Sequence, residues 1–161
     1  MGAGKALAVI GGLLVIVATF LLSLFASGGQ FASGINLVMN IMTLFTGAAE
    51  IMDWVFVVIF IIFLLSGIFI LIGVKSRALA IIGAIVPLVL SIFIILGPLG
   101  ILADFYSYFD VMLGDQLVAG IIPYDLGLWP SDAALGTVSV GTYILLVGGL
   151  LGLISGFMSR D

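Results

Sequence analysis

Residues 54–96 read WVFVVIFIIFLLSGIFILIGV, then KSR, then ALAIIGAIVPLVLSIFIIL. Two unbroken apolar runs, 54–74 and 78–96, flank a three-residue turn that carries two positive charges, Lys75 and Arg77. An α-helix crosses the hydrocarbon core of a bilayer in about 20 residues, which is the length of each run. Neither run shows the alternation of polar and apolar residues that a membrane strand needs. The stretch therefore predicts two membrane-spanning helices joined by a tight basic turn.

Working outward, two more runs of the same kind appear at about 6–26 and 138–158. The composition agrees: 64% of the 161 residues are hydrophobic and 7% are charged, against about 25% charged in soluble domains. The prediction is an all-α integral membrane protein, a four-helix bundle forming one transmembrane domain over 1–161. Its outer segments, about 27–53 and 97–137, each contain a short interfacial helix.

The charges give this bundle a direction. Lys5 precedes the first span, Lys75 and Arg77 lie between the second and third, and Arg160 follows the fourth. All four therefore fall on one side. Seven acids, Glu50, Asp53, Asp104, Asp110, Asp115, Asp125 and Asp132, fall on the other. Cytoplasmic loops carry the excess of Lys and Arg, so both termini and the short turn are expected in the cytoplasm of a cell-membrane protein. Trp54, Trp129, Tyr106, Tyr108, Tyr124 and Tyr143 gather toward the outer side, as an interfacial aromatic belt does. A cleaved signal peptide is the competing reading of the first run, with Lys5 before it and Phe25-Ala26-Ser27-Gly28 after it. The run exceeds the about 7–15 apolar residues of such a peptide, so a retained span is preferred.

The chain has no cysteine and no histidine. Disulfides, thiol chemistry, the usual zinc and haem ligation, and Ser-His or Cys-His nucleophile pairs are excluded. The formal net charge of −4 argues against nucleic acid as a partner. No span carries an ionisable side chain at its middle, whereas proton relays, ion-coupled carriers and rotary-ring subunits need one at membrane depth. The polar residues within the spans are Thr19, Ser23, Ser66, Ser91, Thr142 and Ser155, whose hydroxyls can bond back to their own helix.

Two motif fragments fail on context. Gly2-Ala3-Gly4-Lys5 lacks the upstream residues, the strand and the following Ser or Thr of a phosphate loop. Gly114-Asp115 lacks the membrane-embedded partner carboxylate of an aspartyl protease. Asp104, Asp110 and Asp115 surround the aromatic run 105–109, and their spacing matches no calcium loop. They read as an acidic outer surface. Phe105, Phe109 and Met112 share one helical face, and so do Val38, Met42 and Phe45, which predicts the interfacial helices. Pro123-Tyr124-Asp125 and Gly127 form a turn, and Ser131 or Asp132 is placed to cap the fourth helix. No catalytic, metal or cofactor-binding residue is expected, and no cofactor.

The packing signal is in the small residues. Gly148, Gly152 and Gly156 recur at four-residue steps, with Gly141 in line above them, and Gly4, Ala8 and Gly12 form a second stripe beside Gly11. Small residues let membrane helices approach closely, either within the chain or between protomers. Pro87 is expected to kink the third span.

The octapeptides KALAVIGG from Lys5 and RALAIIGA from Arg77 match in register, as do GVKSR from Gly73 and GFMSR from Gly156. Chance is the competing reading, since Ala, Leu, Ile and Gly dominate every span; the matching basic and small residues in register favour a duplicated helical hairpin, with a pseudo-twofold axis along the membrane normal.

The layout resembles that of the tetraspan proteins, claudins and tetraspanins, with cytoplasmic termini, a short inner turn and two outer segments. Gly127-Leu128-Trp129 is similar to the Gly-Leu-Trp of claudins. In claudins that motif lies in the first outer segment and precedes two cysteines. Tetraspanins carry a Cys-Cys-Gly motif in the larger segment, and this chain has no cysteine. The overall look is similar to prokaryotic tetraspan proteins. The resemblance implies a topology and transfers no functional residue. The expected function is a non-catalytic scaffold or assembly subunit, a homo-oligomer or part of a larger membrane assembly, with the lipid bilayer as its surroundings. The alternative is a pore or carrier for a small neutral or lipid-like molecule, gated at Pro87.

Overall fold

The computed structural model describes residues 2–27, 30–47, 50–96 and 137–159. The chain begins with α1 (Ala3–Ile16), which continues as a π-helical turn over Val17–Leu21. Two short strands follow, β1 (Phe25–Ser27) and β2 (Gln30–Ala32), then α2 (Gly34–Gly47). Helices α3 (Ile51–Ile72) and α4 (Arg77–Leu96) form the central hairpin, and β3 (Thr137–Val138) leads into α5 (Val140–Phe157). Four helices, Ala3–Leu21, Ile51–Ile72, Arg77–Leu96 and Val140–Phe157, are long and apolar enough to cross a membrane. The protein is a multi-pass membrane protein with an all-α spanning region.

The four spans close a ring. Helix α1 packs on α3 and on α5, and α4 packs on the same two. Neighbours run in opposite directions: Gly12 meets Leu71 while Ile16 meets Gly67, and Gly156 meets Ile81 while Gly149 meets Leu88. This is an up-down-up-down bundle. Its core is formed by Val15, Phe60, Phe63, Ile70, Ala84, Ile94 and Leu145, all buried. Ile10, Leu13, Val58, Ile68, Ile82, Ile85, Val147, Leu150 and Ile154 point outward and are exposed. In water such a surface would drive aggregation; in a bilayer it is the surface that lipid tails solvate.

The first span ends earlier than its apolar run. The run continues through Ala26, but the helix stops after Leu21 and Leu22 turns extended, with φ −100° and ψ 164°. The reason is tertiary. Residues 25–27 pair with β2 on one side and β3 on the other, antiparallel, in the order β2-β1-β3. The sheet satisfies backbone groups that the helix would otherwise have bonded. The N-cap position of the last span also differs from the expectation: α5 starts at Val140 with Ser139 before it, well beyond Ser131 and Asp132.

Lys5, in the first turn of α1, Lys75, between α3 and α4, and Arg77, the first residue of α4, lie at one end of the bundle. Glu50 and Asp53 lie at the other, where the Asp53 carboxylate accepts the Glu50 N–H at 3.0 Å and caps α3.

Candidate functional site: glycine seams and a buried hydroxyl cluster

Every interface around the ring contains a glycine at backbone contact. Between α1 and α5, a methyl group on Gly11 would stand 2.8 Å from the Gly152 nitrogen and 2.9 Å from the Gly148 carbonyl oxygen. One on Gly148 would meet the Gly11 carbonyl oxygen at 3.0 Å. Between α1 and α3, Gly12 and Gly67 face each other's carbonyl oxygens in the same reciprocal way, at 3.0 and 3.1 Å. Between α3 and α4, Gly83 lies against Ser66, Phe69 and Ile70; between α4 and α5, Gly149 lies against Leu88. A side chain at such a point forces two backbones apart.

The small-residue stripes are thus used inside this chain. Gly148 faces Val15 and Gly11 of α1, Gly152 faces Ile70 and Ala84 near the axis, and Gly156 faces Ile81 and Arg77 of α4. In the first stripe Gly4 faces Met158 and Ser159, beyond the end of α5, Ala8 is fully buried, and Gly12 faces α3. Pro87 is buried within α4, which continues through it from Arg77 to Leu96. Having no N–H, Pro87 leaves the Gly83 carbonyl without its usual helical donor. Asp104, Asp110 and Asp115 lie outside the described residues, as does the aromatic run between them.

The hydroxyls divide into two groups. Ser66, Ser91 and Ser155 donate to carbonyls three residues back in their own helices, those of Phe63 (2.6 Å), Leu88 (2.8 Å) and Gly152 (2.6 Å). Those at the Glu50 end bond across the fold instead. The Ser23 and Ser139 hydroxyl oxygens are 2.5 Å apart, and Thr142 Oγ1 donates to the Leu24 carbonyl at 2.9 Å. The Ser139 N–H donates to that same carbonyl at 3.0 Å, and the Gly141 N–H donates to the Ser23 carbonyl at 2.8 Å. The first turn of α5, whose N–H groups lack helical partners, is thus capped by the segment that follows α1. Nearby in the π-helical turn, Thr19 is 1% exposed and its Oγ1 has no partner among the described residues. The sequence showed these hydroxyls but not their pairing, because Ser23 and Ser139 are 116 residues apart.

Chemically, this arrangement holds helices together and offers no acid–base pair. The charged residues among those described, Lys5, Glu50, Asp53, Lys75 and Arg77, all lie at helix ends. Among the described residues no group of His, Cys, Asp and Glu is placed to hold a metal ion. Comparison with protein-family models, curated proteins and solved structures finds no match to the chain.

Proposed function

We propose that the protein is a non-catalytic scaffold or assembly subunit of the cell membrane, with its termini in the cytoplasm. The observation that carries this reading is the packed bundle core. Phe60, Phe63, Ile70, Ile94 and Leu145 are fully buried there, and glycines bring the backbones into contact at every seam. A packed core, with no charged side chain in the interior of the described spans, supports a structural role over ion-coupled transport. Since Gly148, Gly152 and Gly156 are occupied within the chain, the partner-binding surfaces of such a subunit are the outward helix faces and the acidic outer segment.

Duplication of a helical hairpin belongs to the same proposal. Gly11 and Gly83 hold the same place in the two matched octapeptides. Each presses on the second helix of the other hairpin, Gly11 at Gly148 and Gly152, Gly83 at Ser66, Phe69 and Ile70. That equivalence is what a pseudo-twofold axis between the hairpins requires.

The test is reconstitution. Purified protein in liposomes should leave glycerol permeability and lipid scrambling at the level of empty vesicles, and cross-linking in the same vesicles should trap a defined oligomer or complex. A flux that rises with protein density and is altered by Pro87→Ala would replace the scaffold reading with a pore or carrier.

A further inference from the structure

Helix α2 has no ionisable residue from Gly34 to Gly47, an unusual composition for a short helix that faces water. Its inner face is seated, with Gly34 and Leu37 buried and the helix packed on α3 and on the π-helical turn of α1. Its outer face carries Val38, Met42 and Phe45 on one stripe with Met39 beside them; Met39 is 62% exposed and Met42 is 65% exposed.

Three further observations bear on what covers that stripe. First, two polar side chains of α2, those of Asn40 and Thr46, turn back on its own backbone. Asn40 Nδ2 donates to the Asn36 carbonyl at 2.9 Å, and Thr46 Oγ1 to the Met42 carbonyl at 3.0 Å. Such closure is what a surrounding without water demands. Second, the Phe45 ring meets Trp54 edge to face, with centroids 5.1 Å apart and planes at 87°. Trp54 lies in the first turn of α3, where an interfacial aromatic belongs. Third, the stripe is continuous through that pair with the exposed apolar face of α3, formed by Ile51, Met52, Val55 and Val58. On a spanning helix that face is the lipid contact.

We propose that α2 is embedded lengthwise in the leaflet at the Glu50 end of the bundle, with acyl chains of membrane lipid as the occupant of the Val38-Met42-Phe45 stripe. The described part of the protein is then wider by one helix in that leaflet than in the other. This placement is independent of the scaffold reading.

The chain has no cysteine, so single spin labels can be attached to the full-length protein without removing a native thiol. The measurement is the accessibility of each label to oxygen, which concentrates among acyl chains, against a water-soluble nickel chelate, in lipid nanodiscs. Labels at Val38→Cys, Met42→Cys and Phe45→Cys should favour oxygen, as a label at Val58→Cys in the span does. A label at Thr43→Cys, at the edge of the stripe, should show more chelate contact than one at Met42→Cys. Chelate contact at Met42→Cys equal to that at Ser76→Cys, in the α3–α4 turn, would place the stripe in water and overturn the proposal. An immobile Met42→Cys label shielded from both reagents would also overturn it, because protein, whether a second copy or another part of this chain, would then cover the stripe.

Discussion

Gly11 and Gly152 stand on the same seam, yet they differ in what a side chain would meet. At Gly11 the obstacles are backbone atoms, the Gly152 nitrogen and the Gly148 carbonyl oxygen, which move only if a helix moves. At Gly152 they are the tip of Ile70 at 3.0 Å and the Ala84 methyl at 3.2 Å, and the former can change rotamer. Gly11→Ala should therefore lower the thermal stability of the monomer in detergent more than Gly152→Ala. Gly152→Leu, which no rotamer change accommodates, should cost about 1–3 kcal/mol, the usual penalty of an overpacked contact. Equal melting temperatures for Gly11→Ala, Gly152→Leu and the lipid-facing control Val147→Leu would show that the seam tolerates opening. The Ser23–Ser139 pair makes a different prediction. Ser139→Ala leaves the Ser23 hydroxyl buried without its partner, and should cost about 0.6 kcal/mol and at most about 1.7 kcal/mol, the mean and the maximum for side-chain hydrogen bonds between membrane helices. Adding Ser23→Ala should cost less than an independent loss of the same size, because the orphaned hydroxyl is removed with it. A double-mutant cycle on thermal unfolding reads that difference.

For the elements, legibility depended on range. The spans at 54–74 and 78–96 differ from α3 and α4 only at their ends, because composition and length alone decide whether a helix can cross a bilayer. The stripe of Val38, Met42 and Phe45 was legible for a similar reason: it is local and periodic, and all three are exposed on α2. The end of α1 was not legible. Residues 22–26 are as suited to a membrane helix as those before them, and what takes them out of it is pairing with Thr137 and Val138, far away in the chain. The partners of the glycine stripe were hidden by geometry. A four-residue step overshoots a helical turn by about 40°, so Gly148, Gly152 and Gly156 fan out from α1 through the axis to α4. A sequence presents them as one groove.

Over the whole molecule, the separation of Lys5, Lys75 and Arg77 from Glu50 and Asp53 places opposite charges at opposite ends of a bundle without charged groups between them in the described spans. The positive-inside rule then predicts the sidedness. In intact cells, a membrane-impermeant maleimide should label Glu50→Cys and leave Ser76→Cys untouched until the membrane is permeabilised. The reverse pattern would invert the orientation. The spin labels on α2 then report on the outer leaflet, since Glu50 and α2 share an end.

The seam between α1 and α5 joins helices that lie far apart in the chain, with α3 and α4 between them. Until α5 enters the membrane, the inward face of α1 at Gly4, Ala8, Gly11 and Val15 has no protein against it on that side, and the Ser23 and Leu24 carbonyls lack the donors that α5 supplies. In hydrocarbon those groups have no water to turn to. A chain in which α5 has not yet inserted therefore presents unpaired backbone carbonyls beside α1, and seating α5 is the step that removes them.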